Sequence, residues 1–115
     1  MESTDLAKLV VEMASDKLAS DIVMLDLQTV SLIADYFVIC SAGSERQIAA
    51  VRDDILKTVR NLDPKRRMRV EGDSSCGWVL MDLGDVVVHI FGTDERDFYA
   101  LDRFWSDARP VVQVQ

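Results

Sequence analysis

The stretch WVLMDLGDVVVHIF, Trp78 to Phe91, constrains the fold more than any other part of the chain. Two β-rich runs flank Gly84-Asp85, a Gly-X dipeptide suited to a two-residue hairpin turn. With that turn, Leu83 faces Val86, and the ladder continues Asp82–Val87, Met81–Val88, Leu80–His89, Val79–Ile90 and Trp78–Phe91. Side chains alternate across a strand, so the hairpin has two faces. One carries Leu83, Val86, Met81, Val88, Val79 and Ile90, wholly apolar, and must face a core. The other carries Asp82, Val87, Leu80, His89, Trp78 and Phe91. A fully buried face would not normally hold an aspartate and a histidine, and a solvent face would not normally gather Trp, Leu and Phe. Large aromatics mixed with a few polar groups describe a protein interface. The competing reading is a terminal helix covering part of this face.

The rest of the chain supplies the partners of this hairpin. Leu6, Leu9, Val10, Met13 and Leu18 recur at helical spacing and predict an amphipathic helix over 4–19. The runs 21–27 and 35–42 read as strands, with an unassigned connector between them. Ser44 followed by Gln47 is a capping-box pattern. The stripe Ile48, Val51, Ile55, Val59 and Leu62 then predicts a helix over 45–62, stopped by Asp63-Pro64. Residues 67–72 make a third strand. A last helix opens at Thr93 or Asp94, turns Phe98, Leu101, Phe104 or Trp105 and Ala108 inward, and ends at Pro110. The order α-β-β-α-β-β-β-α implies one α/β (α+β) domain over residues 1–115. Its five-stranded sheet is mixed, because a helix between strands demands a crossover while the hairpin is antiparallel. Residues 110–115 read as a short flexible tail.

Length and charge exclude several classes. At 115 residues the chain suits one domain. Its acidic, amphipathic start is no secretory signal, and no apolar run approaches the roughly 20 residues of a membrane span. Two cysteines, Cys40 and Cys76, are too few for a disulfide framework or zinc cage, and read as reduced thiols. These features predict a soluble cytoplasmic protein without membrane contact. Thirteen basic against 20 acidic residues leave a net charge of −7. That disfavours a whole-surface grip on nucleic acid, and either favours a basic partner or serves solubility alone. The one basic cluster, Lys65, Arg66, Arg67 and Arg69, is either a charge-protected strand edge or a secondary contact with RNA phosphates.

Catalytic constellations are sparse. Gly43-Ser44 at a helix start resembles the phosphate-holding turn of a nucleotidyltransferase-like site. Such a site also needs two carboxylates on one strand face to hold Mg²⁺. Asp26 has Met24 and Gln28 at the required positions, and Asp82 has Leu80 and Gly84. The turn therefore reads as a cap. His89, the one histidine, has no nucleophilic partner in its vicinity, and one His with scattered Cys does not give metal-ligand spacing. The residues favour an interface role for His89 and imply no catalytic residue, metal or cofactor. A small nucleotide-binding or nucleotidyltransferase-like enzyme is the alternative.

The blocks ADYFVICSAGSERQIAAVRDDI, RVEG, GWVLMDLGDVVVHIF and ERDFYALDRFW resemble, in order, those of the ribosomal silencing factor family (RsfS, also called Iojap-like). The likeness spans roughly residues 5–107, and its most specific part is W-x-x-x-D-x-G-D-x-x-x-H, here Trp78, Asp82, Gly84, Asp85 and His89. The resemblance implies a nucleotidyltransferase-like topology without the metal carboxylates. It also implies a translational repressor that binds the large ribosomal subunit through its basic protein fourteen. Such a repressor blocks joining of the small subunit when nutrients are scarce. Carried onto this chain, the family contacts fall on Trp78, Leu80, Asp82, His89, Phe91, Arg96 and Tyr99. Lys65, Arg66, Arg67 and Arg69 are left as a candidate minor contact with ribosomal RNA. The resemblance also implies a homodimer in isolation.

Overall fold

The computed structural model describes residues 1–93 and 109–114. The elements are α1 (Ser3–Asp16), β1 (Ser20–Asp26), β2 (Tyr36–Ala42), α2 (Glu45–Leu62), β3 (Arg69–Asp73), a 3-10 turn (Ser74–Cys76), β4 (Trp78–Asp82), β5 (Val86–Gly92) and β6 (Arg109–Val114). They build one α+β domain around a mixed sheet of order β3-β4-β5-β2-β1-β6. Only β2 and β5 run parallel, since α2, β3 and β4 intervene between them; the other pairs are antiparallel. The hairpin has the register that Gly84-Asp85 predicts, from Asp82 opposite Val87 to Trp78 opposite Phe91. Leu83 N–H donates to Val86 O at 2.9 Å to close the turn. Gly84 takes φ +97°, the conformation that this position demands and that favours glycine.

The five strands expected from the sequence are all present, and a sixth joins them. Arg109–Val114, expected to be largely a flexible tail, pairs antiparallel with β1. The physical reason lies in β1: without β6 its outer edge would leave a row of backbone donors and acceptors unpaired. Val111, Val112 and Val114 favour extended backbone, and Pro110, which has no N–H, is tolerated on an edge strand. The register shifts beside it, between Met24 and Leu25.

The helices begin and end for local reasons. Ser44 Oγ accepts from Gln47 N–H at 3.1 Å, and Ile48, Val51, Ile55 and Val59 are buried behind this cap. The Gln47 side chain also accepts from Gly43 N–H and donates to the carbonyls of Lys17 and Leu18, tying the start of α2 to the end of α1. Helix α1 stops at Asp16, short of the predicted 19. Leu18 N–H donates to Ser15 O and Ala19 N–H to Ala14 O, the paired bonds of a Schellman ending. Leu18 consequently sits at φ +64° and points outward, 80% exposed, rather than on the buried stripe. Reversing into β1 within four residues takes precedence over the helical period.

Both described helices cover the same face of the sheet. Leu6, Val10, Met13, Ile48, Val51 and Ile55 pack there on Ile22, Met24, Val38, Val79, Met81, Val88 and Ile90. The opposite face forms a second, smaller cluster of Leu25, Leu27, Ala34, Ile39, Val87 and Phe91, with Val23, Phe37, Trp78 and Leu80 partly buried against it. Neither α1 nor α2 contributes to it. The last helix expected from Thr93 onward lies outside the described residues.

Candidate docking site on the aromatic face

Strand β4 is aimed by the turn before it. Gly72 has φ +76°, and a Cβ there would lie 2.2 Å from the carbonyl oxygen of Trp78, so only glycine lets β3 and β4 approach this closely. The Asp73 carboxylate then accepts from the backbone N–H groups of Ser75 and Cys76 and from the Ser75 hydroxyl. The Ser75 hydroxyl bond first, then the two backbone bonds, hold the Asp73 carboxyl below the usual carboxylate range. Gly77, at φ +77°, turns the chain into β4, and its carbonyl accepts from Gly92 N–H at 2.9 Å. Trp78 is thereby presented at the start of β4 with its neighbours clamped on both sides.

Three rings meet behind and beside Trp78. Its indole lies over Phe91 with centroids 5.3 Å apart, and the His89 ring is nearly parallel to that of Phe91 at 6.2 Å. Phe37 meets the imidazole edge-on at 4.7 Å. Trp78 Nε1–H donates to His89 Nδ1 at 3.3 Å. The face is graded: His89 is 3% exposed and Phe91 1%, whereas Trp78, Leu80 and Asp82 on β4 are partly exposed. Burial pushes the His89 pKa down to about 4, so the imidazole is neutral at physiological pH. His89 Nε2 is buried with no hydrogen-bond partner among the described residues.

Strand β3 adds charge to this row. Asp73 stands opposite Trp78, Glu71 opposite Leu80 and Arg69 opposite Asp82. Arg69 pairs with Glu71 at 3.0 Å, both well exposed. A partly exposed Trp–Leu pair bordered by carboxylates has the make-up of a docking surface for a protein carrying basic groups.

The sequence as a whole matches one protein family. The RsfS family, described as "Ribosomal silencing factor during starvation", matches residues 1–115. The chain belongs to this family. It is 41% identical over 115 residues to the ribosomal silencing factor RsfS of Halalkalibacterium halodurans, covering 100% of this chain and 97% of that one. It is likewise 41% identical over 108 residues to RsfS of Bacillus subtilis, covering 94% and 91%. A crystal structure of a protein from Chromobacterium violaceum superposes with a TM-score of 0.84 at 29% identity, covering 92% of this chain and 88% of that one.

Of the contact residues that the RsfS resemblance implies, the structure brings Trp78, Leu80, Asp82, His89 and Phe91 onto one face. His89 and Phe91, however, lie behind Trp78 and not at the surface. Asp82 Oδ1 also accepts from Gly84 N–H at 2.9 Å, so this side chain braces the hairpin turn as well. Arg96 and Tyr99 lie outside the described residues. The basic cluster does not act as one unit. Lys65, Arg67 and Arg69 are exposed, but Arg66 is half-buried and occupied: it donates to Asp63, to Leu83 O at 2.7 Å and to Met1 O. Gly43-Ser44 lines a cleft of about 200 Å³ with Ser74, Ser75 and Thr93, at the carboxyl ends of β2 and β5. Gly43 N–H and Ser44 Oγ are both engaged by Gln47, as a cap requires. Among the described residues no three His, Cys, Asp or Glu side chains gather as a metal site, and no helix is long and apolar enough to cross a membrane.

Sequence reasoning missed Phe37, Glu71, Gly72 and Asp73. For Phe37 the signal was available: it shares a strand parity with Ile39 and lies beside Val87. Asp73-Ser74-Ser75 carries an Asx-turn signature that points to a tight connection. The β3–β4 register that sets Glu71 and Asp73 beside Trp78 had no comparable marker.

Proposed function

We propose that this protein is a ribosome silencing factor that acts by docking, not by catalysis. The surface that docks is the β4 row of Trp78, Leu80 and Asp82, edged by Glu71 and Asp73, and its partner is protein fourteen of the large ribosomal subunit. Occupying that protein obstructs joining of the small subunit under nutrient limitation, in the cytoplasm. Trp78 is the anchor, and the −7 net charge favours a basic partner. Lys65 and Arg67, with Arg69 beside them in its pair with Glu71, supply a minor contact with ribosomal RNA, and the same sticky row accounts for a homodimer when the ribosome is absent. The observation that carries the reading is the partly exposed indole on a rigid aromatic bed, in a chain matched over its whole length by the family.

The test is reconstitution of ribosomes from purified bacterial subunits. Added protein lowers the yield of joined ribosomes without consuming nucleotide, and sediments with large subunits but not with small ones. Unchanged joining at saturating protein defeats the proposal.

A further inference from the structure

We propose that His89 is a positioning residue, whose buried imidazole holds the Trp78 indole in its docking orientation without touching the partner itself. This rests on the docking reading above. Three observations carry it. The first is access: at 3% exposure, His89 has no surface with which to meet a partner, while the indole in front of it does. The second is the bond. Indole N–H is a donor only, and the 3.3 Å contact gives it the Nδ1 lone pair as acceptor. Phe37 edge-on at 4.7 Å and Phe91 at 6.2 Å hold the plane of the imidazole, so the acceptor direction is fixed before any partner arrives.

The third observation is an unmet cost. Accepting at Nδ1 puts the proton of the neutral ring on Nε2. That atom is buried and has no hydrogen-bond partner among the described residues. A buried donor left unsatisfied destabilises a fold, and an apolar ring of similar shape would not carry the penalty. Nothing described around Nε2 therefore calls for a histidine here. The one histidine-specific atom put to use among the described residues is Nδ1, and its user is Trp78. An indole already held in its bound orientation loses less freedom on docking, which strengthens binding without a new contact.

The test compares His89→Phe, His89→Asn and Trp78→Ala in binding to purified bacterial large ribosomal subunits, with thermal melts and the ¹⁵N–¹H spectrum of the free proteins. His89→Phe melts at the same or a higher temperature, yet binds about three- to tenfold more weakly, the worth of one ordered hydrogen bond. Its Trp78 indole N–H resonance moves and exchanges faster with water. His89→Asn, whose amide oxygen stands near the place of Nδ1, returns both binding and the indole signal towards those of the parent. Imidazole ¹⁵N shifts of the unsubstituted protein report the proton on Nε2. Wild-type binding by His89→Phe, with Trp78→Ala weakened, overturns the role of His89 and leaves the docking reading standing. Wild-type binding by Trp78→Ala overturns both. A proton found on Nδ1 in the unsubstituted chain overturns the role of His89 even if His89→Phe fails to fold.

Discussion

The two faces of the β4–β5 hairpin share a backbone and a turn but are built to different ends. On one, Val79, Met81, Leu83, Val86, Val88 and Ile90 are fully buried under the two described helices and carry no polar side-chain atom. On the other, burial falls off from Phe91 and His89 towards Trp78, Leu80 and Asp82, and a buried imidazole nitrogen goes unpaired among the described residues. A uniformly apolar face records selection for folding. A graded face with an aromatic anchor and an unmet donor records a demand that folding alone does not explain.

The widest gap between the faces is expected in stability. Met81→Ala removes a fully buried side chain and should cost about 2–5 kcal/mol. Leu80→Ala, one residue on and partly exposed, should cost clearly less. Paired denaturant titrations decide the matter, and equal losses would abolish the distinction between the faces.

Acid should attack only the second face. The folded His89 pKa of about 4 lies below the ordinary 6.5, so the unfolded chain binds the proton more readily. The resulting contribution to stability is complete above pH 6.5 and shrinks as pH falls towards 4, by about 3 kcal/mol in all. Carboxylates contribute to acid unfolding in both proteins, so the quantity to measure is the difference between the parent and His89→Phe across that window. Parallel stability curves would mean that His89 is not buried in solution.

Binding should separate the faces in the opposite sense. Trp78→Ala is expected to weaken attachment to large subunits by about 2 kcal/mol, as interface anchors do, while melting close to the parent. Loss of folding without specific loss of binding would make Trp78 a core residue. The smallest effect concerns charge. If the carboxylates around Trp78 steer docking, raising salt through the range where screening reaches about 8–10 Å should slow association severalfold and change dissociation little. An association rate indifferent to salt would reduce the acidic surface to a solubility device.

Much of this molecule is determined locally. Gly84-Asp85 specifies a turn, the turn specifies the register, and a period of two then divides the hairpin residues between faces. Ser44, Gln47 and Asp63-Pro64 bound α2 because capping and proline chemistry act over three or four residues. Tertiary structure decided what depends on distant segments. The open edge of β1 recruits Arg109–Val114 as a strand, although nothing within those residues requires it. The α1–β1 reversal moves Leu18 out of the helix and off the buried face. Arg66 leaves its basic cluster because Leu83 and Met1, far away in sequence, offer it carbonyls. The same holds for the aromatic face: alternation identified His89, Phe91 and Trp78 as neighbours, but not which of them lies in front. Alternation is a property of one strand, whereas depth is a sum over everything packed around it.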